Sequence, residues 1–187
     1  DPNAAILFRQ FAGTTSFELV QLAVLGIGTI KDPKSIQVLE RTLTAPSLSV
    51  RRAACVALVS IGTNEALETV AQTLLNGDED VRRAAAEALA NDPGEGHAML
   101  RDGLTLTDIL LRRAVAYGLG RVNEPWAHEA LQKIQIEEPS LLIRINQYFR
   151  YSMTEMELYD FTRGYWKLNI ERAKNAKYAF AIYNGII

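Results

Sequence analysis

The string Val-Arg-Arg-Ala-Ala at residues 50–54 decides the fold, because close copies of it return at regular intervals. The same five letters stand at residues 81–85, and Leu-Arg-Arg-Ala-Val stands at residues 111–115. The copies are separated by 31 and 30 residues. A fixed period of about 30 residues is typical of stacked helix pairs, each pair being one repeat. The sequence therefore predicts an all-α architecture.

Small and apolar residues follow each copy at helical spacing, which places the copy in the second helix of a pair. We call this helix the B helix and the one before it the A helix. We predict a right-handed α-solenoid of about five pairs. The predicted A and B helices of each pair are as follows: 3–11 with 16–27; 33–43 with 49–60; 64 onward with 78 or 80 to about 90; about 95–104 with 107 or 108 to 121; and 125–134 with 140–151.

Polar residues at helix starts and glycines at helix ends support these boundaries. Asp32 is expected to cap the second A helix, with a proline at the first helical position after it. Asn64 is expected to cap the third A helix. Asp78 or Asp80 is expected to cap the third B helix. Gly28 is expected to end the first B helix.

The repeated string, completed by Ala-Leu and Ile-Gly at residues 50–62, resembles the short bacterial HEAT repeats named after phycobiliprotein lyases. The resemblance covers about residues 3–146. It implies a solenoid that presents interaction surfaces, since such a fold does not specify one chemistry. Some members of that repeat family are bilin lyase subunits, and more distant helical-repeat proteins are DNA glycosylases. The resemblance assigns no functional residue to this chain.

The composition changes near the end of the chain. Residues 1–143 carry 13 Lys and Arg against 18 Asp and Glu, whereas residues 144–187 carry 7 against 4 and hold ten of the 15 aromatic residues. We therefore divide the chain into a solenoid at residues 1–151 and a C-terminal helical or α/β cap, or truncated accessory module, at residues 152–187. Residues 177–183 fit a strand before an Asn-Gly turn or a helix ended by glycine.

Two arginines in each copy of the string have different predicted roles. Arg51, Arg82 and Arg112 recur at one turn of successive B helices, so each can reach an acidic group of the next repeat. The following arginines, Arg52 and its equivalents, lie opposite the apolar stripe on a helical wheel. The first series predicts a structural ladder and the second a solvent-facing row.

The second row suggests a partner-binding surface. The arginines are Arg52, Arg83 and Arg113, with Tyr117 close by on the last helix. B helices line the inner face of such solenoids, so these residues would edge a concave trough of small residues that suits an anionic or extended partner. A solvated face with local salt bridges, for example Arg83 with Glu87, is the alternative. The small residues of the predicted trough include Cys55, Ala86 and Ala116.

Cations alternate with aromatic residues in the C-terminal segment, at Arg163, Tyr165, Trp166 and Lys167. Such mixtures can stack bases and hold phosphates, which allows nucleic-acid association. They also form the bulky interior of a small cap.

Catalytic patterns are weak, so the question of enzymatic activity stays open and a non-catalytic role is favoured. Cys55 has no companion histidine nearby in sequence, and His97 and His128 lack ligand-spaced partners. We expect no cofactor, no metal and no membrane segment, and the single cysteine fits a cytoplasmic protein. The oligomeric state is not specified.

Three functions follow from these features. The first is a protein-protein interaction or scaffold module that binds a protein or peptide on the concave B-helix face. The second is a nucleic-acid-associated protein that uses the basic aromatic C-terminal segment. The third, implied by the resemblance, is a lyase-like or chaperone-like subunit acting on a tetrapyrrole-bearing protein.

Overall fold

The computed structural model describes residues 2–137 of the chain, with side chains placed for residues 3–134. Within residues 2–137 all regular structure is helical. The α-helices are α1 Pro2–Phe11, α2 Phe17–Ile30, α3 Ile36–Thr42, α4 Leu48–Ile61, α5 Asn64–Asn76, α6 Glu79–Leu89, α7 Glu95–Gly103, α8 Ile109–Leu119 and α9 Pro125–Glu137, and a short 3-10 helix, Pro33–Ser35, precedes α3.

These helices form an all-α repeat solenoid, as predicted. The B helices α2, α4, α6 and α8 pack directly on one another from pair to pair, whereas the A helices α3, α5 and α7 meet less closely. The closer row is expected on the inner side of the curve. The chain divides into two compact units, Asp1–Gln132 and Lys133–Ile187.

Short polar side chains begin most of the B helices by accepting backbone N–H bonds. Ser16 accepts from Leu19, and Asp78 accepts from Val81 at 2.9 Å. Asp108 accepts from Leu110 at 2.8 Å and from Leu111. Asp78 and Asp108, rather than Asp80 and Thr107, are thus the caps of α6 and α8.

Two predicted helix boundaries are wrong. The cap of α5 is Thr63, whose hydroxyl accepts from the N–H of Ala66 at 3.3 Å, and Asn64 is the first helical residue. Gly28 does not end α2, which continues to Ile30 and closes on Lys31 with a φ of 51°. Gly28 instead serves packing, because a Cβ there would lie 2.7 Å from the Cα of Ala57 on α4.

The core consists of the apolar stripes of both helices in each pair and of small residues between neighbouring B helices. Val24, Val50 and Leu89 are fully buried examples of the stripes. Between α6 and α8, a Cβ on Gly118 would lie 2.6 Å from the carbonyl oxygen of Ala86. Glycine and alanine therefore allow successive B helices to approach closely.

Several predictions concern residues beyond those described. They are the second helix of the fifth pair, the boundary near residue 151, the cap at residues 152–187, and the choice between strand and helix at residues 177–183. These stay predictions.

Candidate functional site on the B-helix face

The predicted ladder is present where the structure describes both of its partners. Arg51 on α4 contacts Asp78 at 2.5 Å, and Arg82 on α6 contacts Asp108 at 2.7 Å. Each aspartate caps the next B helix, so each arginine joins two repeats at a helix start. Arg51 and Arg82 therefore stabilise the stack, as expected of the structural ladder.

The ladder also affects the two aspartates. The Arg82 hydrogen bond, followed by the Leu111 N–H, lowers the pKa of Asp108. The Val81 N–H is the main cause of the lowered pKa of Asp78, with Arg51 contributing. Both carboxylates are therefore held in their charged form at neutral pH.

The second arginine of each copy lies on the B-helix face, but its exposure differs along the row. The side chain of Arg52 is 34% exposed and that of Arg83 only 12%. Arg113 is partly buried, and its Nε has no hydrogen-bond partner within the part of the chain that the structure describes. Arg52 is thus more available to a partner than Arg83.

Glu87 on α6 joins the neighbouring repeats through two ion pairs. Its carboxylate lies 3.4 Å from Arg52 on α4 and 3.0 Å from Arg121, just beyond α8. The predicted local pair between Arg83 and Glu87 is wrong, because Arg83 contacts Asp80 at 3.2 Å instead. Glu87 therefore forms these ion pairs with residues outside its own helix and links neighbouring repeats.

Tyr117 lies beneath the arginines and not at the surface. It is 1% exposed, and the Arg83 and Arg121 guanidinium carbons lie 5.5 and 5.7 Å from its ring centroid. Its hydroxyl accepts a 3.3 Å hydrogen bond from Arg121. Tyr117 can therefore orient two cations through its ring face and hydroxyl, while direct contact with a partner would require it to become exposed.

The predicted open trough of small residues is wrong. Cys55 and Ala86 are fully buried, and Ala116 is 1% exposed. A helical wheel shows which residues face away from the helix's own apolar stripe, but it does not include the next B helix. That neighbour covers these positions, as the close approach of Gly118 to Ala86 shows.

An open groove lies instead near the start of the solenoid, between α2 and α4. Its volume is about 460 Å³. Leu25 and Val56, 38% and 42% exposed, supply its apolar surface. Its lining also includes Gln21, Leu48, Ser49 and Arg52.

Leu22 extends this apolar surface along α2 and is 65% exposed. The sequence interpretation missed it because it began from the repeated arginine string, which α2 lacks. The sequence does contain a sign of this surface. Leu22 stands two residues after Val20, as Arg52 stands two residues after Val50, so Leu22 also lies opposite the apolar stripe of its helix.

The charge of the B-helix face differs from the net charge of residues 1–132. Residues 1–132 carry 12 Lys and Arg against 16 Asp and Glu, a net charge of −4. The B-helix face holds four arginines, at positions 52, 83, 113 and 121, and two of the contacting carboxylates, Asp80 and Glu87. A local excess of positive charge on an acidic unit favours an anionic partner at this face.

The two histidines have different surroundings. His97 is buried, with Nε2 at 3.0 Å from the Ala90 carbonyl oxygen and Nδ1 at 3.4 Å from Glu124. Trp126 donates to Glu124, and Arg101 stacks on the Trp126 ring at 4.0 Å. This arrangement joins α7 to the start of α9. The second histidine, His128, is exposed on α9.

The C-terminal candidates Arg163, Tyr165, Trp166 and Lys167 lie outside the described residues. None of the helices described up to residue 137 is both long and apolar enough to cross a membrane.

Comparison with known proteins supports the repeat assignment. Residues 7–90 match a family model described as HEAT repeats. No curated protein matches the chain. The match covers α2 and α4, including the groove between them, and ends just beyond α6.

Proposed function

We propose that this protein with HEAT repeats is a non-catalytic interaction module that binds a protein or peptide on its B-helix face. HEAT repeats commonly mediate protein-protein interaction, which supports the general class. The observation that supports this face is the combination of exposed apolar residues on α2 and α4 with arginines on α4, α6 and α8. Arg52 and Arg113 are the principal contacts, with Arg83 between them, and Tyr117 positions Arg83 and Arg121.

Selection of binders from a random peptide display library tests the proposal without knowledge of the natural partner. Enriched peptides are measured by fluorescence anisotropy against the full chain and against Arg52→Glu/Arg113→Glu. We expect this double variant to bind at least about tenfold more weakly, since it replaces two attractive charges by repulsive ones.

The matched control is Lys34→Glu/Arg41→Glu, which makes the same change of charge at two exposed positions before and within α3. We expect it to bind like the wild type, with helical circular dichroism unchanged in both variants. Equal losses in the two double variants, or a library without enrichment, would contradict the proposal.

The other two functions remain proposals that depend on other parts of the chain or on the resemblance. Nucleic-acid association through the C-terminal cations requires affinity for an oligonucleotide that falls steeply with salt. A lyase-like or chaperone-like role requires a change in visible absorbance when the protein is mixed with a bilin and an apoprotein. No contact in residues 3–134 favours either one.

A further inference from the structure

We infer that the partner segment is a peptide in which apolar and acidic residues are segregated, with an apolar side chain in the α2/α4 groove and a carboxylate on Arg52. This inference rests on the proposed function and specifies its ligand. The apolar surface, the cation at its wall and the order of residues along the face support it.

The groove is suited to an apolar side chain. Leu25 of α2 and Val56 of α4 both line the groove, and Leu22 lies three residues before Leu25, on the same side of α2. All three are more than a third exposed, although each belongs to a helix whose opposite side is in the core. Contiguous exposed apolar residues beside charged ones are typical of interaction sites.

Arg52 provides a charge at the edge of this apolar surface. Its only ion pair among the described residues is the 3.4 Å contact between Nη2 and Glu87, and its side chain is 34% exposed. A guanidinium can donate five hydrogen bonds in a planar fork that fits a carboxylate. An acidic side chain next to the groove would therefore find donors that Glu87 does not use.

The order of residues along the face indicates which part of the partner is apolar and which part is acidic. Leu22, Arg52, Arg83 and Arg113 occupy equivalent positions in four successive B helices. The face is therefore apolar in the groove between α2 and α4 and basic from Arg52 toward α8. A uniformly acidic partner would leave the groove empty, and one with alternating residues would bring some apolar side chains against the arginines. A segregated peptide matches both regions.

A single-stranded nucleic acid is the less favoured ligand. Its phosphates would suit the arginines, but the aliphatic groove offers no aromatic surface for a base, and residues 1–132 are acidic as a whole. The experiment below includes an oligonucleotide so that this outcome is measured.

The test uses three fluorescein-labelled peptides of identical composition. Two are segregated, one with Leu and Phe at the N-terminal end and Glu at the C-terminal end and one with the reverse order, and the third alternates the same residues. We expect the full chain to bind the better segregated peptide at least about tenfold more tightly than the alternating one. A peptide with Gln in place of Glu should bind more weakly, with an affinity that Arg52→Gln does not change.

Variants of the protein test which residues contact the apolar end of the peptide and which contact the acidic end. Leu25→Gln/Val56→Gln should weaken binding of the segregated peptide about tenfold or more, and Arg52→Gln should weaken it and remove its preference over the Gln peptide. Leu75→Gln on α5, 41% exposed, is the matched control and should leave affinity unchanged.

The outcomes separate this inference from the proposed function. Library-selected peptides that depend on Arg52 and Arg113 but not on Leu25 and Val56, or a segregated peptide no better than the alternating one, would overturn the inference alone. Failure of the library selection would overturn the proposed function as well. Tighter binding of a single-stranded oligonucleotide than of any peptide would also overturn the inference.

Discussion

Cys55 shows how the surroundings of a residue decide its chemistry. It lies one helical turn after Arg51 on α4, where an exposed thiol near a cation could be reactive. The structure buries it completely, and burial raises the pKa of its thiol to about 12. Val56, the next residue, is 42% exposed. Neighbouring positions on one helix therefore belong to the core and to the groove.

The thiol of Cys55 is expected to be unreactive in the folded protein. With a pKa near 12, only about one thiol in ten thousand is ionised at pH 8, and the side chain has no access to solvent. Ellman's reagent should therefore detect no thiol in the native protein at pH 8 and one per chain in denaturant. In a Cys55→Ala/Val56→Cys variant the new thiol should react rapidly without denaturant. Comparable native rates for the two would contradict the burial of Cys55.

At the scale of helices, the sequence predicted contacts that depend on the repeat period and missed those that depend on neighbouring helices. The Arg51 and Arg82 ladder was predictable because one residue type recurs at one position. The burial of Ala86 was not, because it depends on the close approach of Gly118 from another helix. Pairing between Glu87 and Arg121 likewise depends on where two helices end.

The ladder makes stability depend on pH in the acidic range. Because Arg82 and the Leu111 N–H lower the pKa of folded Asp108, its charged form stabilises the protein above about pH 4, and this contribution is lost as the pH falls further. Asp108→Asn retains a good N-cap but loses the charge. The variant should melt slightly below the wild type at pH 7. The difference in free energy of unfolding should be less than about 1 kcal/mol, because the Asp108 side chain is 45% exposed.

The difference between Asp108→Asn and the wild type should shrink as the pH is lowered below about 4, because the contribution is lost as the pH falls through the lowered pKa of the folded carboxyl group. An Arg82→Gln background is the control, in which the same substitution should have a smaller effect at pH 7. A difference that does not change with pH would show that the charge of Asp108 does not matter.

At the scale of the molecule, the fold class and the order of the helix pairs over residues 2–137 were predictable because the repeated sequence encodes the same local structure several times. The position of the best candidate site was less predictable. The repeat string identified Arg52, but the groove beside it involves Leu22 and Leu25 of α2, a helix that diverges from the string. Function in such a stack depends on departures from the repeat, which a consensus pattern leaves out.

The stack should unfold from the end at which it is weakened. Contacts run between successive B helices, so the loss of one repeat mainly affects its neighbours. Leu119→Ala and Leu39→Ala each remove a fully buried side chain and should cost about 2–5 kcal/mol. Hydrogen exchange should accelerate most in α8 for the first variant and in α3 for the second. Equal acceleration at both ends in each variant would indicate a single cooperative unit.

The glycine and alanine contacts between B helices have a consequence for any partner that lies across them. Because Gly28 and Gly118 bring their helices close to the next, the side-chain rows are set at the short end of the usual interaxial distance of about 8–10 Å. An extended chain advances about 3.3 Å per residue. A ligand crossing the helices in an extended form would therefore meet a new row about every two to three residues. We expect the two glycines, which such a ligand would not touch, to set the spacing of its sequence motif.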